Sequence, residues 1–233
     1  CLGLAGVIQR LSLDKVTHTV EVYYPASGQE YFDRLKTASI FYNTANIQPR
    51  PITAPGVIFR NSRFHLETQL LAHTAESWGY RLQELDTVTM LQEKLAAFGI
   101  RGADVGKLKA RGALEVNGKV ISLAQVSTPK HGKVVAFVMD TGMCEAAISL
   151  AQNADVLICE STYLSSETAE AESRGHLTAQ QAATIAHKAN AKLLVLTHFS
   201  QRYNSVDEFV REAYAIHPNV IAVQDGDVVT IPK

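Results

Sequence analysis

The stretch KLLVLTHFSQRY, Lys192 to Tyr203, places polar side chains directly behind a hydrophobic run. Leu193 to Leu196 have the length and composition of a buried strand. His198, Ser200 and Arg202 follow almost at once. In sheets of parallel strands, ligands bind at the carboxyl ends of the strands. An imidazole, a hydroxyl and a guanidinium at such an end therefore predict a functional site at this edge of a sheet.

Two similar hydrophobic runs lie upstream, and helical patterns separate all three runs. The runs are VVAFVMDTG from Val134 and DVLICEST from Asp155. The helical patterns are MCEAAISLAQNA, HLTAQQAATIAHKAN, which has Thr178 as its predicted N-cap, and SVDEFVREAYAIH. Strands that alternate with helices indicate an α/β fold. The final stretch, NVIAVQDGDVVTI, predicts a hairpin that turns at Asp225-Gly226.

The first part of the chain also mixes helical and strand patterns. Apolar residues recur at helical spacing in GLAGVIQRLSL, and GQEYFDRLKTASIFY predicts a second helix. Alternation in HTVEVYYP predicts a strand that ends at Pro25, and further strands are predicted between residues 57 and 84.

The composition is that of an ordinary globular protein. The chain has 233 residues, of which 46% are hydrophobic and 19% charged, and its net charge is −1. Apolar runs are too short to span a membrane, and there is no secretory signal pattern. Cys1, Cys144 and Cys159 form no CxxC pair, so they are predicted to be buried thiols in a reducing compartment. We therefore expect a cytoplasmic protein without a membrane-spanning segment.

The charge is distributed unevenly. Residues 101–133 contain seven lysines and arginines against two acidic residues, which gives +5 and leaves −6 for the rest of the chain. This segment contains five glycines and few large apolar residues, so we expect it to contribute little to a core. A solvated loop is the ordinary explanation of such a charge cluster. The contrast with the acidic remainder favours a basic arm that binds a polyanion.

Three residues with metal-binding side chains stand at or just past apolar segments. They are His73, Asp140 and His198. Each alone is explained by a hydrogen-bonded histidine or an N-capping aspartate. Together, at strand ends of a single α/β unit, two imidazoles and a carboxylate predict a site for Zn²⁺ or Mn²⁺.

Several motifs occur in an order that resembles one family. GLAGVIQRL, HTAESWGYRLQE, AFVMDTG, LICESTY, GHLTAQQAA and LTHFSQRY follow one another as they do in ribonuclease Z. These are the tRNA 3′-processing endoribonucleases of the metallo-β-lactamase superfamily. The resemblance implies an αββα sandwich, with a core made of residues 1–90 and 134–233 and an exosite arm, 91–133, inserted in it.

The resemblance also implies the cofactors and the reaction. Two Zn²⁺ ions, or Mn²⁺ or Co²⁺, would be held with His73 on one ion, His198 on the other and Asp140 between them. A metal-bound hydroxide would attack the phosphodiester and release the 3′ trailer of precursor tRNA. His176 would give a proton to the leaving oxygen, and Glu160 would orient His176.

Substrate contacts and assembly are implied in the same way. Ser200 and Arg202 would face the incoming phosphate, and a guanidinium suits a phosphate because it binds in a bidentate fork. The arm would clamp the tRNA through its basic residues, namely Arg101, Lys107, Lys109 and Arg111. Relatives in this family are homodimers, so a homodimer is expected.

The family's His-x-His-x-Asp-His cluster would lie before the first helix, and the chain starts at Cys1 without it. Each metal would then keep two protein ligands, fewer than the three or four that hold Zn²⁺. We therefore expect weak or partial metal occupancy and low activity for this chain as given. Two other hypotheses stay open at this stage. One is a different hydrolase of the same fold, such as a small phosphodiesterase, and the other is a non-catalytic RNA-binding relative.

Overall fold

A computed structural model describes residues 2–231, and these form two compact units. Unit 1 comprises the chain up to Arg60, the segment His65–Leu82 and the chain from Val134 onward. Unit 2 comprises Asn61–Phe64 and Gln83–Lys133. The residues predicted to form the basic arm lie in unit 2.

The amino-terminal part of unit 1 contains the predicted helices and strand. Helix α1 spans Gly3–Leu13, strand β1 Val20–Pro25, helix α2 Gln29–Lys36 and strand β2 Ile47–Ile52. Strands β1 and β2 pair in parallel. Helix α2 ends earlier than predicted, and at its end the Thr37 hydroxyl donates to the Asp33 carbonyl oxygen (3.0 Å), one of the helix's last carbonyls. Three strands follow: β3 at Gly56–Arg60, β4 at Phe64–Leu70 and β5 at Trp78–Glu84.

Unit 2 consists of two short helices and two small sheets. Strand β6 (Thr87–Met90) is followed by helices α3 (Gln92–Ala97) and α4 (Ala103–Arg111), and then by strands β7 (Ala113–Val116), β8 (Lys119–Ser122) and β9 (Ser127–Lys130). Strand β6 pairs antiparallel with β9, and β7 pairs antiparallel with β8.

Unit 2 has its own hydrophobic core. Its buried members are Leu95, Ile100, Leu108, Ile121 and Val126. The expectation that residues 101–133 contribute little to a core is therefore wrong. The apolar residues of this segment are few, but the helix and the hairpin bring them together on one side of each element.

The carboxyl-terminal part of unit 1 is the predicted α/β alternation. Its elements are β10 (Val134–Val138), α5 (Glu145–Ala151), β11 (Val156–Glu160), α6 (Thr168–Arg174), α7 (Ala179–Lys188), β12 (Leu194–Thr197), α8 (Asp207–Tyr214) and β13 (Val220–Ala222). Strands β10 to β13 are parallel neighbours in one sheet of seven strands, whose order is β13-β12-β11-β10-β5-β4-β3. The predicted N-cap of α7 is confirmed: the Thr178 hydroxyl accepts a hydrogen bond from the Gln181 N–H (3.2 Å).

Alternate residues of the central strands enter two different hydrophobic clusters. Leu157, Leu194 and Leu196 are buried in the larger cluster, which also contains residues of α5, α7 and α8. Val156 and Val195, on the opposite face of the same strands, belong to a second cluster. Successive side chains of a strand point to opposite faces. Burial on both faces therefore explains why these strands read as continuous apolar runs.

The predicted terminal hairpin is wrong. Strand β13 pairs in parallel with β12, and among the described residues no strand follows it. A turn is present at Asp225-Gly226, where Gly226 has a φ of +93°. Beyond the turn, Val229 packs with Val223 against the cluster that contains Val156. The segment after β13 therefore buries apolar side chains against the sheet instead of pairing as a strand.

Two further expectations concern cysteines and membranes. Cys159 is buried, and burial raises the pKa of its thiol well above the usual value, while Cys144 is half-buried. Cys1 lies outside the described residues. Across the described residues, no helix combines the length and the apolar character that crossing a bilayer requires.

Gly132 supplies a test of the unit 2 fold. A Cβ added there would stand 2.0 Å from the Glu84 carbonyl oxygen, a backbone atom that cannot rotate away. We expect Gly132→Ala to lower the free energy of unfolding of unit 2 by about 1–3 kcal/mol, which is the usual cost of overpacking. Urea denaturation with hydrogen exchange on unit 2 amides measures it.

The matched control is Gly106→Ala within α4, where an added Cβ meets nothing within 4 Å. Alanine should there be neutral or stabilising by about 0.5–1 kcal/mol, because glycine is unfavourable inside a helix. Equal effects of the two substitutions would contradict the described packing at Gly132.

Candidate metal centre

Side chains from three neighbouring parallel strands converge at one edge of the large sheet. Asp140 lies two residues past the end of β10, Glu160 is the last residue of β11, and His198 directly follows β12. His176 joins them from the segment between α6 and α7. Potential ligand atoms of these four residues all lie within 4.8 Å of one another. Of the three predicted metal ligands, Asp140 and His198 are brought together here, and their binding of a metal stays a prediction.

Two of these residues have a backbone conformation that is uncommon for residues other than glycine. Asp140 has a φ of +50° and His198 a φ of +61°. Each residue lies just past the end of its strand. Such conformations cost about 1–3 kcal/mol and cluster at functional sites.

Glu160 is fully buried, yet its carboxylate is completely satisfied. Oε1 accepts hydrogen bonds from the Thr141 N–H (2.6 Å) and from His176 Nδ1 (2.9 Å). Oε2 accepts hydrogen bonds from the Thr162 hydroxyl (2.7 Å) and from the Leu177 N–H (3.0 Å). A carboxylate has about four acceptor positions. All of them are occupied, so Glu160 has no lone pair left for a metal ion and acts as an acceptor for protein donors.

Thr162 connects this carboxylate to His198. Its hydroxyl lies 2.7 Å from Glu160 Oε2 and 2.9 Å from His198 Nδ1. Since a carboxylate can only accept, the hydroxyl donates its proton to Glu160 and must accept from His198. The His198 proton is thereby fixed on Nδ1. In the neutral ring the lone pair is then on Nε2, the atom that faces Asp140 Oδ1 at 3.2 Å.

His73 lies beside the cluster and does not belong to the group of four. Its ring centroid is 5.0 Å from that of His176. Its Nδ1 is 2.8 Å from the Gly175 carbonyl oxygen, so Nδ1 carries the proton and Nε2 is available as a ligand. A carbonyl or carboxylate behind the second ring nitrogen is the usual arrangement of a metal-binding histidine.

Gly175 is required for this contact. It has a φ of +71° at the end of α6, and a Cβ there would meet His73 Nδ1 at 3.0 Å. Any side chain would be strained by the backbone and would press on the imidazole. The sequence shows this glycine in GHLT, but nothing in the sequence alone indicates that its partner is His73.

His176 stands between the two other imidazoles. Its ring centroid lies 5.3 Å from that of His198, and its side chain is 17% exposed. Since Nδ1 is engaged by Glu160, Nε2 is the atom available to a bound molecule. The contact predicted between Glu160 and His176 is present, and their chemical roles stay predictions.

Of the two predicted phosphate contacts, Ser200 and Arg202, the structure places Arg202 among acidic and aromatic partners. Its Nη1 donates to Glu167, and its guanidinium lies 5.0 Å above the Tyr163 ring. The hydrogen bond with Glu167 raises the pKa of Arg202. Ser200 is half-buried, and its N–H donates to the Thr162 carbonyl oxygen (3.1 Å).

Unit 2 presents the predicted basic residues to solvent. Arg101 directly precedes α4, and Lys107, Lys109 and Arg111 lie on that helix, with all four side chains exposed. Lys107 forms an ion pair with Asp104 (2.7 Å).

Two threonines in the site were missed by sequence reasoning. Thr162 links Glu160 to His198, and the Thr141 hydroxyl accepts a hydrogen bond from the Ala72 N–H (3.2 Å). The Thr141 contact, together with a 2.7 Å bond from the Gly142 N–H to the Ala72 carbonyl oxygen, joins the segment before His73 to the segment of Asp140. Each threonine stands one or two residues past a predicted site residue, and that position is the one signal available in the sequence.

The donor set fits a divalent metal ion. Asp140 offers carboxylate oxygen, and His198 and His73 each offer Nε2 with the other ring nitrogen engaged. Nitrogen and carboxylate oxygen donors suit Zn²⁺ and Mn²⁺. The close approach of Asp140 to His198 is what two ligands of one ion would show.

Comparison with known proteins gives consistent results. A family model described as beta-lactamase superfamily domain matches residues 57–199. The chain is 48% identical over 214 residues to a ribonuclease Z from Nocardia farcinica, and the aligned region covers 91% of this chain and 70% of that protein. It is 41% identical over 233 residues to a ribonuclease Z from Chlamydia muridarum, covering 100% of this chain and 77% of that protein.

Solved structures share the fold. The crystal structure of the short form of human tRNase Z matches with a TM-score of 0.61 and 21% identity, over 99% of this chain and 74% of the human protein. The metallo-β-lactamase fold protein YhfI from Bacillus subtilis matches with a TM-score of 0.63 and 17% identity, over 97% of this chain and 70% of that one. These similarities establish the metallo-β-lactamase fold predicted from the sequence.

Thr162→Val tests the link between Glu160 and His198. Valine has nearly the shape of threonine but no hydroxyl, so His198 Nδ1 and Glu160 Oε2 each lose a partner. We expect Zn²⁺ affinity to fall about 10- to 100-fold, as is usual when a ligand loses its supporting hydrogen bond. Competition with a chromophoric chelator measures the affinity.

Thr162→Ser is the matched control, because serine keeps the hydroxyl. It should bind Zn²⁺ within a few-fold of the unmodified protein. If the valine variant also binds normally, the threonine does not support His198.

Proposed function

The chain belongs to the ribonuclease Z family of the metallo-β-lactamase superfamily, and we propose that it hydrolyses the phosphodiester that joins the 3′ trailer to precursor tRNA. The observation that carries this proposal is the contact of buried Glu160 with His176 beside the Asp140 and His198 ligand atoms. This arrangement combines a metal-binding edge with a positioned proton donor, which is what phosphodiester hydrolysis needs.

Metal ions would be held by His73, Asp140 and His198. Two Zn²⁺ ions, or Mn²⁺ or Co²⁺, are the proposed cofactors. When bound, such ions supply an activated water and stabilise charge on the oxygens of a phosphoryl displacement. Glu160 stays outside this ligand set, because its lone pairs are engaged by four protein donors.

His176 is proposed as the general acid. Glu160 accepts the Nδ1 proton, so the proton proposed for transfer is the one on Nε2. Its destination is the 3′-oxygen that leaves when the P–O bond breaks. The 5.3 Å between the His176 and His198 ring centroids supports this role, because it keeps the proposed proton donor beside a proposed metal ligand.

Substrate binding is proposed to involve two regions. Ser200 and Arg202 follow β12 and would contact phosphate near the scissile bond. The four exposed basic residues at α4 would bind the tRNA backbone. The proposal needs only that one tRNA contacts both regions.

A homodimer is proposed as the assembled form. Large apolar side chains are exposed on the first two helices, with Val7 at 55%, Leu13 at 76% and Tyr31 at 60%. Exposed apolar surface of this kind is typical of interaction sites.

His176→Ala tests the proposed function. We expect the rate constant for cleavage to fall about 10²- to 10⁴-fold, because a general acid acts in the transition state. The dissociation constant for precursor tRNA should change by less than about threefold, since the lost interaction is made in the transition state. Single-turnover cleavage and filter binding of the full-length, metal-loaded enzyme give the two numbers.

His187→Ala is the matched control, since His187 is an exposed histidine in the last turn of α7. It should leave both numbers unchanged. Parallel loss of binding and cleavage in His176→Ala would identify a structural role for His176 instead.

The arm is tested by charge removal. Replacing Arg101, Lys107, Lys109 and Arg111 by glutamine should weaken precursor tRNA binding and reduce the slope of log K against log salt by about 0.7–0.9 for each phosphate that these side chains neutralise. Hydrolysis of a chromogenic phosphodiester, which has no tRNA backbone for these side chains to bind, should not change.

Charge removal is a better test than deletion, because deletion would remove the buried Leu108, Ile121 and Val126. Four exposed basic residues of unit 1, namely Arg10, Lys15, Arg34 and Lys188, serve as the control set for glutamine substitution. An unchanged salt slope in the arm variant would show that its charge is only solvated surface.

A further inference from the structure

Arg202 is held by a network that the reaction itself does not require. Its Nη1 donates to Glu167 Oε1, and its Nη2 lies 3.7 Å from Glu170 Oε1. The guanidinium plane also lies over the ring of Tyr163, which is 4% exposed. A flexible exposed arginine would have none of these restraints, so the side chain is fixed before any substrate arrives.

Glu167 also binds the residue next to Arg202. Its Oε2 accepts a hydrogen bond from the Tyr203 hydroxyl, and the same hydroxyl accepts one from the Leu164 N–H (3.1 Å). The Tyr203 ring packs edge-on against Phe209, which is completely buried, at 4.8 Å. One carboxylate thus joins the segment after β11 to the segment after β12, and the second segment carries His198, Ser200 and Arg202.

The charge of Glu167 argues against a direct role in binding RNA. A carboxylate close to a phosphate site repels the phosphate and should weaken binding. Its presence is explained if orientation of the guanidinium is worth more than the repulsion costs. Arginine has five N–H donors, so the bond to Glu167 leaves others free for a bidentate contact with phosphate.

We propose that Glu167 is a positioning residue, which orients Arg202 and the segment 199–203 for contact with the substrate phosphate. This inference rests on the proposed function, because it takes Arg202 as the phosphate contact. A guanidinium held in one orientation loses less conformational entropy when it binds the phosphate, because it is already oriented for that contact. Glu170 pairs with Arg174 at 2.7 Å and lies 3.7 Å from Arg202 Nη2, so it adds negative charge near Arg202 without a hydrogen bond that orients it.

Glu167→Gln separates positioning from charge, because the two effects have opposite signs. Removing a negative charge near the site should leave precursor tRNA binding unchanged or tighter. Losing the orientation of Arg202 should slow cleavage about 10- to 100-fold, which is typical of a misplaced group near the chemistry. We therefore expect cleavage to fall while the dissociation constant, measured in the metal-free full-length protein, does not rise.

The double variant shows whether the effect passes through Arg202. If it does, Glu167→Gln combined with Arg202→Gln should cleave no more slowly than Arg202→Gln alone. If the two losses multiply, or if Arg202→Gln has no effect, the proposal is overturned. We expect all variants to have the same thermal unfolding midpoint. A lower midpoint in Glu167→Gln alone, large enough to account for its lost activity, would also overturn the proposal.

Glu172→Gln is the matched control, because Glu172 is an exposed glutamate of the same helix as Glu170 and its substitution changes the net charge equally. It should behave as the unmodified enzyme. Failure of the proposed function gives a different pattern: the unmodified, metal-loaded enzyme would then not cleave precursor tRNA at all, and the role of Glu167 in that reaction would be overturned with it.

Discussion

The buried carboxylate of Glu160 is the constraint on which the site depends. It lies at the end of a central strand with no exposed surface, and burying a carboxylate without partners is very unfavourable. Its four donors come from three segments: Thr141 after β10, Thr162 after β11, and His176 with Leu177 before α7. Because these segments must all meet at one carboxylate, their positions are fixed relative to one another. The proposed ligands Asp140 and His198 are placed as a result, since one is the neighbour of Thr141 and the other bonds to Thr162.

The surrounding fold supplies the support that this arrangement needs. Strands buried on both faces hold the sheet edge rigid, and the parallel order brings the ends of β10, β11 and β12 side by side. Asp140 and His198 both adopt a left-handed backbone conformation, which is unfavourable by itself and is maintained by the packing beneath it. Glu167 extends the same principle to the segments around the site, because it joins the residues that follow β11 to those that follow β12. The packed core thereby fixes the positions of the side chains at the sheet edge.

Sequence patterns predicted the features that depend on local rules. Apolar runs and helical periodicity located β10 to β12 and the helices between them, and the Thr178 cap followed from its position before an apolar helix. Features that depend on long-range packing were not predictable. The final residues bury Val229 on the sheet instead of forming a hairpin, and the few apolar residues of unit 2 assemble into a core. In the site, the residue types at strand ends were informative, whereas the roles of Thr162, Gly175 and Glu167 depend on partners 36, 102 and 35 residues away in sequence.

The hydrogen bonds around Glu160 require that the proton of two histidines is on Nδ1, directly for His176 and through Thr162 for His198. Imidazole ¹H–¹⁵N correlation spectra of the metal-free protein at a pH where both rings are neutral report the tautomers directly. We predict that both His176 and His198 carry the proton on Nδ1, and that Glu160→Gln changes the tautomer populations of both rings together. Protonation of either ring on Nε2 in the unmodified protein, or a Glu160→Gln effect limited to His176, would contradict it.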